Sequence, residues 1–507
     1  MIEGGRQKTG PTVTSELRNC PPDLRHGKIV CMLRFVDDIR LSSGQLARRD
    51  CLRVGLGWLA AGVLPAASAA EAGGAKLLPG FGRAKSVILV FANGGQSQID
   101  MWDPKPDAPL DVRGAFQPIA TAVPGIHFTE HMPRVARVAD RFTVVRSMSH
   151  EDLDHGSAAY LCLTGAYHAK RSANPPPSPN DVPTYGAILR RVRAKSRFVS
   201  DAVHLNGPAL VPTNLSPGQD GGFLGRAYEP MLVGDPSDAA GALADIAPQP
   251  GLPPVRMNDR LGLKQTLDHY AQRLESAAPA ADLTRLYDQA LDMLSSQQAR
   301  EAFNLDAEPP HIRDRYGRHR SGQSLLLARR LVEAGVPYIN VIWNQTNRGQ
   351  DNAPDDPDVY GWDTHNDIFD SLKNHLLPRF DESFSAFIED LDSRGLLDET
   401  LVVCMGEFGR APRVALEPRF AGASPGRKHW ASVYSLVMAG AGVQRGAVVG
   451  ASDRLGGEPA TERFGPWDVA ATMFHALGID PRGHYTDTLG RPFAIATGHP
   501  IKELYAG

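Results

Sequence analysis

Residues 396–430 read LLDETLVVCMGEFGRAPRVALEPRFAGASPGRKHW, and the expected architecture of the chain follows from this segment. Its apolar run Leu401–Met405 predicts a buried strand, and a sharp Gly-Glu-Phe-Gly-Arg corner follows. In an open α/β sheet the loops at the carboxyl ends of strands carry the ligand site, and Glu407 lies where such a loop begins. His429 returns after a loop rich in Gly, Pro and Arg. A strand-end carboxylate and a returning histidine predict half of a metal site. In the alternative, Glu407 forms an ion pair with a nearby arginine, and His429 is an ordinary surface histidine.

Predicted strands and helices alternate along the chain on both sides of this segment. Ser86–Ala92 is a continuous apolar run, which is typical of a central parallel strand covered on both faces. A predicted helix, Ser321–Gly335, precedes a predicted strand, Pro337–Trp343; Ser321 is the expected N-cap and Gly335 the expected left-handed residue at the C-terminal end. The alternation predicts an α/β fold with a mostly parallel central sheet and helices on both faces.

Composition places the chain among ordinary globular proteins. It has 507 residues, of which 42% are apolar and 22% charged, enough for one large α/β domain with insertions or for two domains. The formal net charge of -3 gives no electrostatic reason to expect a nucleic-acid partner. Only two of the five cysteines, Cys162 and Cys404, lie beyond the first 75 residues, which is too few for a disulfide framework. A single bridge between the two stays open.

The first 75 residues have the features of a leader. Arg48-Arg49 precedes a short apolar segment, Val54–Leu64, and small residues, Ala66–Ala70, follow. This order is typical of a signal peptide, and the paired arginines are typical of the twin-arginine type. The apolar part is too short and too rich in glycine to span a bilayer comfortably. An uncleaved N-terminal anchor is the alternative, and Met32 is a candidate for the true start.

We therefore expect residues 1–75 to be a leader without a fold, with a twin-arginine signal at 48–70. The leader predicts export by the twin-arginine machinery to the periplasm or the extracellular space. Residues 76–507 are expected to form one α/β domain with a helical insertion around 251–304.

Two further polar clusters stand out in predicted loops. His150, Asp154 and His155 lie in a segment that follows a predicted strand. Asp363 and His365 are two residues apart, which on an extended segment points both side chains to one side. A carboxylate oxygen and an imidazole nitrogen that converge in this way suit zinc or a similar divalent cation. The alternatives are a solvated polar loop and a helix cap at Asp363.

A parallel sheet would bring these clusters together with Glu407 and His429. A metal held there could polarise an oxyanion and lower the pKa of bound water. Arg410 and Arg427 are candidates for binding an anionic group through both guanidinium arms.

Several separated motifs, in order, resemble the exported bacterial family known as domain of unknown function 1501. The resemblance extends from Arg48 to Phe493, and the motifs that carry it are Gly94–Pro106, Ser149–Gly156, Gly361–His365, Gly406–Pro412 and Gly426–Trp430. That family is grouped with the alkaline-phosphatase and sulfatase-like superfamily. The resemblance implies an alkaline-phosphatase-like core and a metal-dependent hydrolase of phosphate or sulfate esters.

The sequence departs from the superfamily at two positions. Asn93 stands where the first strand usually ends in a metal-binding aspartate, and Phe408 stands where a histidine is usual. One metal is therefore expected rather than two. The chain has no Cys-x-Pro-x-Arg element, so a formylglycine sulfatase is not expected, and Ser147, Ser149 and Ser157 are all open as nucleophiles.

The resulting hypothesis assigns a role to each candidate residue. Asp363, His365, Glu407 and His429 hold a divalent cation, zinc or calcium. His150 or His155 acts in proton transfer or as a further ligand, and Arg410 holds the anion. In this hypothesis the substrate is an anionic ester, and an extracellular polymer is one type of molecule that could bear the ester group. The rival hypothesis is a non-catalytic exported binding protein that has kept the scaffold.

Overall fold

The structure is a computed structural model that describes residues 78–193, 200–237, 297–349 and 360–505. The predicted leader, with its signal at 48–70, and residues 251–296 of the predicted insertion lie outside the described residues. Within these ranges no helix combines the length and the apolar character that a membrane span requires.

The described strands number sixteen. In chain order they are β1 (Ser86–Phe91), β2 (Pro118–Ala120), β3 (His127–Thr129), β4 (Thr143–Met148), β5 (Ala202–Leu205), β6 (Leu210–Val211), β7 (Asn214–Leu215), β8 (Met231–Val233), β9 (Tyr338–Ile342), β10 (Thr400–Met405), β11 (Gly409–Arg410), β12 (His429–Trp430), β13 (Tyr434–Ala439), β14 (Ala447–Val449), β15 (His484–Thr486) and β16 (Pro492–Ala494).

The described helices are mostly short. The α-helices are α1 (Leu110–Arg113), α2 (Pro133–Arg137), α3 (His155–Thr164), α4 (Tyr185–Val192), α5 (Gln297–Phe303), α6 (Pro310–Tyr316), α7 (Arg320–Glu333), α8 (Ile368–Ser371), α9 (Leu377–Ser393) and α10 (Pro466–Ala476). Single 3₁₀ turns lie at Ala139–Arg141, Gly222–Leu224, Arg226–Tyr228, Leu305–Ala307, Leu396–Glu399 and Lys502–Leu504, and a π-helical turn, Leu372–Leu376, joins α8 to α9.

Eight of these strands form the central sheet, in the order β14-β4-β13-β10-β1-β9-β5-β8. Among the described strands of this sheet, only β13 runs antiparallel to its neighbours. The remaining short strands pair as hairpins or ribbons beside it. The prediction of a mostly parallel sheet is confirmed.

Both faces of the sheet are covered by helices. Alternate residues of β1 enter two different apolar cores: Ile88 and Val90 lie in one, and Val87, Leu89 and Phe91 lie in the other. Helices α2 and α5–α9 contribute to the first core, and α3, α4 and α10 contribute to the second. Because both faces are buried, β1 carries no polar alternation, as expected for such a strand. Cys162 and Cys404 are buried and unbridged.

Helix α7 ends as predicted but begins with a different cap. Gly335 has the predicted positive φ, +87°. The N-cap is His319, whose Nδ1 accepts a hydrogen bond from the backbone N–H of Gly322 at 3.2 Å. Ser321 lies inside the first turn instead, and its hydroxyl donates to the carbonyl of Trp343. The prediction of Ser321 as the cap is therefore wrong, because the helix begins at Arg320, two residues earlier than a cap at Ser321 would place it.

The strand directions bring the polar clusters to one edge of the sheet. Strands β1, β4, β9 and β10 all end at this edge, and the antiparallel β13 begins there. The loops after the parallel strands therefore meet the segment that precedes β13. His429, just before β13, faces residues that follow β4 and β10.

Candidate metal centre

The backbone of Asp363 is packed directly against the loop that follows β1. The Asp363 N–H donates to the carbonyl of Asn347 at 2.8 Å, and the Trp362 N–H donates to that of Asn93 at 3.1 Å. A Cβ on Gly94 would lie 2.5 Å from the Trp362 nitrogen and 2.6 Å from the Asp363 nitrogen. Gly94 also has a φ of +118°, so this close approach requires glycine.

Three imidazoles surround the Asp363 carboxylate. Its Oδ1 lies 3.2 Å from the Nε2 atoms of both His365 and His429, and these two nitrogens are 2.9 Å apart. Its Oδ2 lies 3.2 Å from His155 Nε2. Ligands of a tetrahedral zinc ion bond at about 2.0–2.2 Å and are therefore roughly 3.3 Å from one another. The spacings about Oδ1 are of this size, while His155 approaches the other oxygen; His155, Asp363 and His429 form a group whose ligand atoms all lie within 4.8 Å of one another.

The hydrogen bonds behind His429 leave its Nε2 without a proton. Its Nδ1 lies 2.6 Å from the carbonyl oxygen of Leu153, which can only accept, so Nδ1 carries the proton. Burial, and then the charge of His155, lower the pKa of His429 to about 3, so the ring is neutral. The Nε2 lone pair consequently faces the Asp363 oxygen at 3.2 Å. Two acceptors this close repel unless a donor or a cation lies beside them; in the metal-free protein an N–H at His365 Nε2, 2.9 Å from His429 Nε2 and 3.2 Å from Asp363 Oδ1, can take this place, and a bound cation would replace it.

His155 is held from behind by Glu407. Its Nδ1 lies 2.5 Å from Glu407 Oε1, and both oxygens of this fully buried carboxylate accept from the Gly94 N–H, at 2.8 and 3.0 Å. The buried Nε2 of His155 makes no hydrogen bond of acceptable geometry, although it faces Asp363. A carboxylate that orients an imidazole from its far side is typical of metal sites. The structure thus places Glu407 behind a candidate ligand rather than among the ligand atoms.

Charges in the cluster are strongly coupled. Burial alone would lower the pKa of His155, but the carboxylates of Asp363 and Glu407 outweigh it and raise this pKa to about 9. Burial likewise would raise the pKa of Asp363, but His155 and Arg410 hold it well below its usual range. Without a cation, His155 is therefore an imidazolium between two carboxylates, and a cation that binds its Nε2 must displace a proton.

We expect the metal-free protein to lose stability as the pH rises from about 6.5 to about 9. The raised pKa of His155 contributes stability that is complete below the unfolded pKa, near 6.5, and is lost as the pH passes the folded pKa of about 9. The loss in unfolding free energy is at most about 3 kcal/mol. Urea unfolding with chelator at several pH values measures it.

The control for this experiment is His155→Gln, which cannot take up the proton. Its unfolding free energy should depend less on pH across the same interval. Equal pH dependence in the variant and the wild type would contradict the assignment.

Arg410 is fully buried and engaged in supporting the cluster. Its Nη1 lies 2.9 Å from Asp363 Oδ1, its Nε donates to the carbonyl of Gly95 at 3.0 Å, and its Nη2 donates to that of Gly94. Arg427 is buried as well, and its Nε and Nη2 donate to the two carboxylate oxygens of Asp100 at 2.7 and 3.0 Å. The structure therefore places both arginines as internal supports.

His150 is also bound on both ring nitrogens. Its Nδ1 accepts from the Asp152 N–H at 3.1 Å, so the proton lies on Nε2, which donates to the carbonyl of Glu407 at 2.6 Å. Burial lowers its pKa, which keeps the ring neutral. His150 fixes the loop that carries Glu407 and lies outside the ligand cluster.

Three further residues border the site, and the sequence had singled out two of them, Phe408 and Asn93, as departures from the superfamily pattern. The ring of Phe420 is stacked on His365, with centroids 3.8 Å apart and planes at 11°. Phe408 contacts both His155 and His429, with centroids 5.0 and 4.6 Å away. Asn93 is turned away from the cluster, because its amide donates to the carbonyls of Leu210 and Gln345 at 3.0 and 2.8 Å. Only Phe420 had no signal in the sequence, because a single aromatic residue in a loop has many ordinary roles.

A family model described as "Protein of unknown function (DUF1501)" matches residues 84–505. No curated protein matches the sequence.

Solved structures with a remote likeness include three proteins. The first is the phosphonate monoester hydrolase SpPMH from Silicibacter pomeroyi, with 12% identity, a TM-score of 0.37, and coverage of 83% of this chain and 76% of that one. The second is Ps i-CgsB in complex with k-i-k-neocarrahexaose, with 11% identity, a TM-score of 0.36, and coverage of 78% and 72%. The third is an alkaline phosphatase from the Antarctic bacterium TAB5, with 11% identity, a TM-score of 0.31, and coverage of 72% and 94%.

Proposed function

The chain belongs to the DUF1501 family, and from this and the geometry of its site we propose that it is an exported, metal-dependent hydrolase of phosphate or sulfate esters. The observation that carries the proposal is the contact between Asp363 Oδ1 and the unprotonated Nε2 of His429 at 3.2 Å. These two atoms both present lone pairs to the same point, and the Nε2 of His365 lies 3.2 and 2.9 Å from them, an arrangement that suits the binding of one cation. Its position at the carboxyl edge of the sheet is where α/β proteins bind ligands.

The proposed ligands are His155, Asp363, His365 and His429. Three imidazole nitrogens and one carboxylate suit zinc or a similar transition metal, whereas calcium prefers an all-oxygen set. A bound divalent cation supplies Lewis acidity and lowers the pKa of a bound water. We therefore favour zinc over calcium for this site.

The surrounding residues orient these ligands. Glu407 accepts a hydrogen bond from the Nδ1–H of His155, which directs the Nε2 of His155 toward Asp363. The carbonyl of Leu153 does the same for His429. Arg410 fixes the carboxylate of Asp363 and neutralises part of its charge. Phe408 lies against two of the imidazoles and reduces the access of water to them.

Water and Ser149 are the nucleophiles that the described residues leave open, because the other two candidate serines are committed or fully buried. Ser157 donates to Asp152 Oδ1 at 2.6 Å and accepts from the Ala173 N–H at 3.1 Å, so its hydroxyl is committed to the loop. Ser147 lies in β4 and is fully buried.

A second candidate is a non-catalytic exported protein that binds metal or an anion. The specific observation in its favour is the burial of Arg410, whose guanidinium is taken up by Asp363 and by the carbonyls of Gly94 and Gly95. This arginine offers no free arm to an ester, so the anion would have to be held by other groups.

Metal analysis of protein recovered from the periplasm, combined with an ester assay, tests the proposal. We expect about one equivalent of zinc-like metal. Turnover of at least one class among aryl sulfates, phosphomonoesters, phosphodiesters and sulfated oligosaccharides should be lost with chelator and restored by the metal.

The alternatives give different results. Stoichiometric metal without turnover of any ester would favour the binding protein. Absence of metal, with His365→Ala as stable as the wild type, would overturn both. His484→Ala is the matched control, since His484 is exposed on β15.

A further inference from the structure

Asp152 is a fully buried carboxylate in the loop between β4 and α3. Its Oδ1 accepts from the hydroxyl of Ser157 at 2.6 Å and from the backbone N–H of Ser172 at 2.9 Å. Its Oδ2 makes no hydrogen bond within the described part of the chain. Burial of a carboxylate costs free energy that hydrogen bonds must offset, and here one oxygen makes these bonds. Asp152 therefore links the first turn of α3 to a segment that follows this helix in sequence.

That segment, residues 172–174, caps the start of α3. The helix has no hydrogen bond from a capping side chain of its own, although the first N–H groups of any helix need partners from outside it. Here Gly156 donates to Asn174 Oδ1 at 2.7 Å, and the Ser157 N–H donates to the carbonyl of Ala173 at 3.0 Å. A Cβ on Gly156 would lie 2.8 Å from the Asn174 Cα, so helix and segment are in direct contact. The start of α3 consequently depends on this segment.

The segment depends in turn on Asp152. Ser172 has a φ of +46°, a left-handed value that is uncommon for residues other than glycine. Such a conformation persists only where the surrounding structure holds it. Ser172 is exposed, and its backbone N–H donates to Asp152 Oδ1, while its hydroxyl accepts from the Leu153 N–H at 3.4 Å. Removal of the carboxylate would take away the shorter of these two attachments.

Two proposed ligands are attached to the same loop. Leu153, the residue after Asp152, presents its carbonyl oxygen to His429 Nδ1 at 2.6 Å. His155 is the first residue of α3, and its Nε2 lies 3.2 Å from Asp363 Oδ2. Since His429 belongs to β12, the loop aligns ligands from two separate elements.

We propose that Asp152 is a positioning residue that sets the metal affinity of the site through this loop. The inference rests on the proposed function, since it presupposes that His155 and His429 bind a cation. The carboxylate accepts from Ser157, Ser172 and the Asp154 N–H rather than from a proposed ligand. It acts on His155 through the start of α3, and on His429 through the carbonyl of the residue that follows it.

Zinc affinity of the full-length protein, measured by competition with a chromogenic chelator, tests this role. Asp152→Ala should weaken zinc binding about 10–100-fold, the usual cost of losing a group that orients a ligand. Asp152→Asn should retain most of the affinity, because the amide oxygen can keep both hydrogen bonds and the amide nitrogen replaces the oxygen that has none. Ser157→Ala removes one of the two bonds with little change in volume and should weaken binding about two- to tenfold.

A matched control separates positioning from a general loss of stability. Asp381, on α9, is another buried carboxylate that holds backbone N–H groups, those of Arg134 at 2.9 Å and Val135 at 2.7 Å. Asp381→Ala should lose stability and keep its zinc affinity. The visible absorption of the cobalt(II)-loaded protein, which reports ligand geometry, should change in Asp152→Ala and Ser157→Ala and stay the same in Asp381→Ala.

Three outcomes would overturn the inference. These are wild-type affinity in Asp152→Ala, equal losses in Asp152→Ala and Asp152→Asn, and an equal loss in Asp381→Ala. If Asp152→Ala does not fold, unchanged affinity and an unchanged cobalt spectrum in Ser157→Ala would overturn it as well. In each case zinc binding by the wild type leaves the proposed metal site standing. A wild type that binds no metal, in contrast, would overturn the proposed function and the inference with it.

Discussion

Replacement of Asp363 by alanine is expected to abolish metal binding and ester hydrolysis together. All three imidazoles and Arg410 point to this carboxylate, at 2.9–3.2 Å. Loss of a residue that only orients a ligand typically costs 10–100-fold in metal affinity, so loss of this ligand should cost more than about 100-fold. Metal content and metal affinity by competition with a chelator measure the effect.

The same substitution should also destabilise the metal-free protein. Arg410 and the His155 imidazolium would remain buried without their main partner, which costs about 3–5 kcal/mol of unfolding free energy. Asp390→Ala is the matched control, because Asp390 is a buried carboxylate on α9 that pairs with Arg329 and Arg394 at 3.2 and 2.8 Å. The control should lose stability and keep its metal. Asp363→Ala with full metal content would contradict the proposed site.

Replacement of Arg410 by methionine is expected to lower the unfolding free energy by about 3–5 kcal/mol. The guanidinium is fully buried, and its removal leaves the carbonyls of Gly94 and Gly95 without this donor and Asp363 with only the His155 imidazolium to balance its charge. Urea unfolding of the metal-free protein measures this loss. Arg419→Met, at a side chain 84% exposed, is the control and should change the unfolding midpoint little.

This experiment also separates two roles for Arg410. If Arg410 binds the ester, as the sequence suggested, the variant should keep its stability and show a raised KM. If it supports Asp363, stability and metal affinity should fall first. A stable variant with a raised KM would therefore contradict the role that we assign from the structure.

The sequence was sufficient to predict where the site would form. Apolar runs such as Ser86–Ala92 and Leu401–Met405 identified buried parallel strands, and the rule for α/β sheets then placed the polar loops at one edge. Asp363, His365 and His429 were predicted to meet, and the structure brings them together. These predictions succeeded because strand direction alone determines which loops are neighbours.

The spatial arrangement of the side chains within the site could not be predicted in the same way. Glu407 and His155 were both candidates. His155 faces Asp363 because the Gly94 N–H donates to both oxygens of the Glu407 carboxylate and fixes it on the far side of His155. The burial of Arg410 likewise depends on carbonyls from a loop more than 300 positions away in sequence. Side-chain direction in loops is set by such distant hydrogen bonds, which leave no local pattern in the sequence.

The central position of β1 has a consequence for the newly made chain. Among the described strands, β1 (Ser86–Phe91) pairs only with β9 and β10, at residues 338–342 and 400–405, which leave the ribosome long after it. At about 5–20 residues per second, an apolar segment waits roughly 10–60 s for its first partners. During this interval it has the properties of an unprotected edge strand, which is prone to pair with other chains. Production of the protein should therefore depend on chaperones that shield β1 until the later strands are synthesised.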